Sequence, residues 1–224
     1  MDRNGKSRMY GIPLVFAAAI FCYTFFLSCP SGWTMEEVKF RAQMTAELQD
    51  PIDVDKSMDG RIYALDRRLG KVFVFGEDGV LQMSFGEVGK KAGELRKPES
   101  LAVMSNGRVI IADTGNSRVQ IFDTDGTFLF QLGSPGSSSG QFKKPISVAV
   151  DQFGNIHVAD SVNKTLSQFS PGGVFLSVQK LDYKPMEIAF DRQNSMYVLA
   201  ADEGKIFKFD SYAHVVQQID FIEE

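Results

Sequence analysis

Four stretches of sixteen residues align with one another without a gap, and this repetition decides what the chain can fold into. Pro51 to Asp66 reads PIDVDKSMDGRIYALD, Pro98 to Asp113 PESLAVMSNGRVIIAD, Pro145 to Asp160 PISVAVDQFGNIHVAD and Pro185 to Ala200 PMEIAFDRQNSMYVLA. A Phe follows each stretch at the same distance, at Phe75, Phe122, Phe169 and Phe209, and the Pro-to-Pro intervals are 47, 47 and 40 residues. A period of that length belongs to solenoids, propellers and arrays, whose units cannot bury their own apolar faces and stack on one another instead.

Within a unit the apolar runs are short, β-rich and bounded by turn residues, as in Ser147 to Val150, Ile156 to Ala159, Thr165 to Phe169 and Val174 to Val178. Asn106-Gly107 and Gly154-Asn155 mark the turn between the first two strands, and Asp125-Gly126 and Gly172-Gly173 the turn between the last two. Four antiparallel strands per period describe a propeller blade, so the expected fold is an all-β propeller with repeats at about 51–97, 98–144, 145–184 and 185–224. A blade packed on both sides also explains why Val109-Ile110-Ile111-Ala112 does not alternate. Gly86, Gly89 and Gly93 recur as Gly133, Gly136 and Gly140. Without a Lys-Ser/Thr ending or a following helix they read as a crossover loop between blades rather than a phosphate cradle.

The segment before the repeats has a different character. Arg3, Lys6 and Arg8 precede an uncharged, largely apolar run from Met9 to Met35, the pattern of a signal peptide or of an uncleaved membrane anchor over residues 1–29. Ser28-Cys29 after Phe26-Leu27 resembles a bacterial lipoprotein cleavage box, which would place a lipid on Cys29. The protein is thus expected to be exported and to reside at the membrane, in the periplasm or outside the cell. Residues 30–50 read as a linker in which Val38 to Met44 can add one outer strand, and residues 51–224 as the propeller. Both cysteines, Cys22 and Cys29, lie in the apolar run, so the repeats fold without a disulfide framework or a cysteine metal cage. The chain carries 24 basic and 28 acidic side chains; removing Arg3, Lys6, Arg8 and Asp2 leaves 21 against 27. Such an excess of acid disfavours nucleic acid as a partner.

The string GQFKKPISVAVDQFGNIHVADSVNKTLSQFSPGG, with GRVIIADTGNSRVQIFDTDG before it, resembles the NHL repeat, and the resemblance covers about Pro51 to Phe221. It implies a β-propeller, usually of six blades, that serves as a binding platform; related propellers include the amidating lyase of peptide hormones and metal-dependent lactonases. Only four units are found in this chain. A tight four-bladed ring, an open arc, completion by a second chain or copy, and a truncated gene are all compatible with that number.

Candidate site residues follow from the repeat positions. Asp66, Asp113 and Asp160 close the second strand of three units, and with Pro51, Pro98, Pro145 and Pro185 they are expected to be structural. An Asp followed by Thr-Gly-Asn-Ser-Arg suits a turn whose carboxylate accepts backbone N–H bonds and pairs with Arg118. Residues two and four after each Pro are expected on the wall of a wet central channel, where Asp53, Asp55 and Glu187 form an acidic sector able to hold a hard cation such as calcium through oxygen. No other cofactor is expected. His157 takes the place of Tyr63, Ile110 and Tyr197 and reads as a packed substitute for an aromatic. Neither a Gly-x-Ser-x-Gly elbow nor a His-Glu-x-x-His pair occurs, and no catalytic constellation is visible. Basic pairs at Arg67-Arg68, Lys90-Lys91, Arg96-Lys97 and Lys143-Lys144 fall on loops sharing one face. Arg67, Arg68, Asn116, Arg118, Lys143 and Lys144 are the candidate binding residues there, facing an acidic partner or anionic headgroups. The expected function is a scaffold for a protein or peptide at the cell envelope; the alternative is a lactonase- or lyase-type propeller enzyme using the acidic channel sector.

Overall fold

Each repeat folds as one antiparallel sheet in the computed structural model, which describes residues 48–210 and 213–221. Blade I consists of β1 (Pro51–Lys56), β2 (Ile62–Asp66), β3 (Lys71–Phe75) and β4 (Leu81–Phe85), paired in chain order. A two-residue parallel pair, β5 (Glu87–Val88) with β6 (Glu94–Leu95), crosses to blade II, made of β7 (Ser100–Val103), β8 (Val109–Asp113), β9 (Arg118–Phe122) and β10 (Phe128–Leu132). Blade III comprises β11 (Pro145–Val150), β12 (Ile156–Asp160), β13 (Thr165–Phe169) and β14 (Phe175–Lys180). Blade IV comprises β15 (Glu187–Phe190), β16 (Met196–Ala200), β17 (Lys205–Phe209) and β18 (Val215–Asp220). Four-stranded meanders repeated in this way are the blades of a β-propeller. The readings for residues 1–29, for Cys29 and for a strand over Val38 to Met44 lie outside the described residues. Among the described residues no helix is long and apolar enough to cross a membrane.

The strand limits depart from the sequence pattern in small ways. The inner strand of blade III starts at Pro145, paired with Asp160 across a bulge, and its outer strand starts only at Phe175. The turns repeat more strictly than the residues that make them. Nine residues after the Pro, Gly60, Gly107, Gly154 and Asn194 have φ of 91°, 83°, 82° and 63°. Nineteen after it, Gly70, Ser117, Lys164 and Gly204 lie at 59°, 54°, 54° and 64°. Twenty-eight after it, Gly79, Gly126, Gly173 and Ala213 lie at 78°, 82°, 85° and 62°. A β-carbon in this left-handed region costs about 1–2 kcal/mol, so the blade imposes the turn on Ser117, Lys164 and Ala213.

The apolar core lies between the blades rather than within them. Tyr63, Leu65, Val72 and Val74 of blade I pack with Leu101, Val109, Ile111 and Phe122 of blade II. On the other side of blade II, Ile110, Ala112, Val119 and Ile121 meet Val148, Ile156, Val158 and Phe169 of blade III, whose Ala159 and Leu166 in turn meet Ile188, Val198 and Phe209 of blade IV. Both faces of β8 are buried as a result, which accounts for its unbroken apolar run. Leu95, Phe142 and Tyr183, two or three residues before a Pro, sink from the crossover loops into these seams. Burying such a side chain stabilises by about 1.5–3 kcal/mol and fixes the loop that carries it.

Candidate functional site

The inner strands present their faces to neighbouring blades, and this changes the meaning of the channel residues. Asp53 Oδ2 accepts the backbone N–H of Leu101 at 2.8 Å, Ser100 Oγ that of Val148 at 3.2 Å and Ser147 Oγ that of Ile188 at 3.1 Å. One register therefore recurs: the side chain two after the Pro receives the amide three after the Pro of the next blade. Asp55 repeats the bond one step on, accepting from Val103 at 2.7 Å. Ser100 and Ser147 are buried in these seams, and Ala102 and Ala149 belong to the core clusters. The expected wet wall at these four positions is instead an inter-blade seam, because a strand inside a radial sheet turns its edge, not a face, to the axis.

The acidic sector is engaged in the same bonds. Besides the contacts to blade II, Asp53 Oδ1 accepts Val54 N–H at 2.8 Å and Asp55 Oδ1 accepts Lys56 N–H at 2.7 Å, so all four carboxylate oxygens already serve backbone amides. Burial raises the pKa of Asp53 from 3.8 to about 6 against the lowering by these N–H donors, with the charge of Glu187 adding to the rise. Burial also raises Asp55 and Glu187. Among the described residues no group of three or more His, Cys, Asp or Glu is placed to hold a metal. With every oxygen of Asp53 and Asp55 engaged by backbone amides, and burial opposing the charge on all three side chains, Asp53, Asp55 and Glu187 form a poor donor set for calcium, which needs free, charged carboxylates.

The repeated Asp at the end of the second strand ties the crossover loop to the blade. Asp66 accepts N–H bonds from Gln49, Asp50 and Leu69 at 2.5, 2.9 and 2.8 Å, and although burial pushes its pKa up, these donors hold it below the usual carboxylate range. Asp113 accepts from Arg96 N–H at 2.7 Å, Asn116 Nδ2 at 2.8 Å and Arg118 Nε at 2.7 Å. Asp160 accepts from the amides of Lys143 at 2.6 Å, Val162 at 2.9 Å and Asn163 at 2.8 Å. In blades I to III the carboxylate thus grips the main chain just ahead of the inner-strand Pro, whereas blade IV has Ala200 at this position.

The structure divides the candidate binding residues into two groups. Arg118 is buried, its guanidinium also donating to the carbonyls of Lys91 and Glu94 at 2.6 and 2.9 Å. Asn116 Nδ2 donates to Gly89 O at 2.9 Å, and Arg67 bridges Asp50 at 2.8 Å and Glu99 at 3.1 Å. These three hold loops together. Arg68, Lys143 and Lys144 are exposed, as are Lys90, Arg96 and Lys97. The ends of the blades consequently differ in charge. In blades I to III the β2–β3-type turns and the crossover loops after blades I and II carry nine basic residues against Glu87, Glu94 and Glu99. In the same three blades the opposite end, whose turns draw on Asp-Gly chemistry, carries Asp59, Glu77, Asp78, Asp123, Asp125 and Asp151 against two arginines.

His157 is more than a space-filler. Its Nε2 lies 3.2 Å from Asp151 Oδ2, and its ring packs against Phe190 with centroids 4.8 Å apart. Blade IV has the same device in other residues, Tyr197 Oη donating to Asp191 Oδ2 at 3.1 Å. The signal was present in the sequence as a correlated change, since blade II replaces both partners by Met104 and Ile110. Burial lowers the pKa of His157, with Asp151 opposing.

Solved structures resemble this arc of blades. A streptogramin B lyase superposes with a TM-score of 0.63 at 16% identity, covering 79% of this chain and 56% of its own. A catalytically inactive virginiamycin B lyase from Staphylococcus aureus, solved with quinupristin, gives 0.63 at 14% identity over 80% and 58%. A nidogen/laminin complex gives 0.62 at 16% identity over 78% and 65%. The chain thus spans between 56% and 65% of these three, and at such identities the likeness establishes the fold alone. No curated protein sequence matches it. The description of a six-bladed propeller family, DUF5128, matches residues 95–223, more than half the chain and the part that builds blades II to IV, and by that match the chain belongs to the 6-bladed beta-propeller family.

Proposed function

We propose that this protein is an exported, NHL-type binding propeller that receives a protein or peptide on its crossover face. The observation that carries the reading is the construction of that face. Loops anchored from below by buried Leu95, Phe142 and Tyr183, and gripped at the main chain by Asp66, Asp113 and Asp160, present Arg68, Lys90, Arg96, Lys97, Lys143 and Lys144 as exposed side chains. Rigid loops on a propeller lose little conformational entropy when a partner docks. The lactonase or lyase alternative draws less support, because the carboxylates it needs accept backbone amides between blades I and II. A peptide library displayed against the intact chain tests the proposal. Selected peptides should lose binding to a variant with Ser134–Ser139 of the crossover loop replaced by a flexible linker and keep it to a variant altered at the opposite turns. Failure to select any peptide would remove the reading.

A further inference from the structure

We infer that the crossover face takes an acidic polypeptide segment, held by a crescent of cations on three successive blades; this rests on the binding reading above and names its partner class. Arg96-Lys97 and Lys143-Lys144 occupy the same place in two repeats, directly before the inner-strand Pro. Their main chain is immobilised, with the amides of Arg96, Lys143 and Lys144 donating to Asp113 and Asp160 at 2.7, 2.6 and 3.2 Å, while their side chains are exposed. Arg68, exposed on the β2–β3 turn, extends the row to blade I, whereas Arg67 beside it is neutralised by Asp50 and Glu99. The repeat thus sets unpaired cations at fixed points around one end of the molecule.

Three features select the partner. The opposite end is acidic, so the field along the blades draws a negative segment to the crossover end and repels it from the other. The cations stand on separate loops of successive blades, an arrangement that suits an extended chain bearing several carboxylates better than one small anion. Lysine predominates in the two pairs, and a compact ammonium suits scattered carboxylates, where bidentate recognition of a single phosphate would call for arginine. A flat anionic membrane fits less well. Blade IV places Asp182, Glu203 and Asp202, the last paired with Lys184 at 3.1 Å, at the same end, and a planar surface would press against them together with the crescent.

Fluorescence anisotropy with the full chain tests the assignment. A labelled peptide of alternating Glu and Ser should bind and its Gln/Ser counterpart should not, and affinity should fall steeply between about 50 mM and about 300 mM salt. The variant R96E/K97E/K143E/K144E should lose about tenfold or more in affinity, while R108E/R192E at the opposite end should change nothing. Milder substitutions, Lys143→Gln with Lys144→Gln, should give a smaller loss with an unchanged melting temperature, which keeps the test valid if the fourfold reversal unfolds the chain. Equal binding of the two peptides, binding of neither, or association with phosphatidylglycerol vesicles without binding of the Glu/Ser peptide would overturn the inference. A library-selected neutral peptide that depends on the crossover loops would leave the binding reading standing while the acidic assignment fell.

Discussion

Asp53 does in blade I what Ser100 and Ser147 do in the next two blades, and the carboxylate adds a pH dependence that a hydroxyl lacks. With a pKa near 6 in the fold against 3.8 otherwise, the folded protein keeps this proton over a range where the unfolded chain has released it. Stability therefore falls as pH rises through that window, and Asp55 and Glu187, also raised, act in the same sense. Asp53→Ser should make the fall shallower in urea denaturation measured from pH 4 to 7. Asp53→Ala, which leaves Leu101 N–H without its acceptor, should be less stable than the Ser variant by about 1–3 kcal/mol. An Ala variant equal to the Ser variant would show that the bond contributes nothing. His157 works with the opposite sign. Its pKa is lowered by burial, so the stabilisation it gives is complete above 6.5 and is lost as the solution is acidified toward its folded value. His157→Tyr, copying the Tyr197 to Asp191 bond, should keep the packing and flatten the acid limb below pH 6.5; an unaltered limb would mean that His157 does not titrate into it.

At the scale of strands and turns, the link between the second strand and the crossover loop is the most exposed to test. Asp113→Ala removes the acceptor for Arg96, Asn116, Arg118 and Gln120 and leaves a buried guanidinium without its carboxylate. Breaking a buried pair in this way costs about 3–5 kcal/mol, which should appear as a large drop in melting temperature; an unchanged temperature would refute the structural role. The turn at Ala213 offers the reverse experiment. Gly79, Gly126 and Gly173 fill its position in the other blades, so Ala213→Gly relieves a left-handed β-carbon and should stabilise by about 0.5–1 kcal/mol after the extra flexibility of Gly is allowed for. Strands and turns were legible in the sequence because Pro, Gly, Asp and Phe recur at fixed distances and each has a local cause. The orientation of the inner strand was not legible. A polar residue two after the Pro is equally consistent with a wet wall and with a seam that needs an acceptor, and only the placement of the next blade decides. The same holds for Arg118, whose charge suggests a partner until the carbonyls of Lys91 and Glu94 are seen around it.

Residues 51–220 form a row of blades in which each supports the next, so the first and last blades are expected to differ from the middle ones. Leu65, Ala112 and Ala159 all lie fourteen residues after a Pro, face the following blade and are fully buried. Leu199, their counterpart in blade IV, is only partly buried, and every residue of β18 is exposed. At the other end Val54 is 57% exposed where Leu101, Val148 and Ile188 are 4–5%. In stacked repeats, stability is a sum of unit and interface contributions, so a blade with one bare face opens more readily than one covered on both. Hydrogen exchange of the intact chain should therefore show the amides of β16 and β17 exchanging well ahead of those of β8, β9 and β12. The crescent of cations belongs to blades I to III, and its geometry should persist while blade IV opens. Equal protection in β16 and β8 would mean that the face bearing Glu187 and Leu199 is covered in solution. Glu187 stands in the register where Asp53, Ser100 and Ser147 each receive an amide, so the cover would then have to be a strand that supplies one.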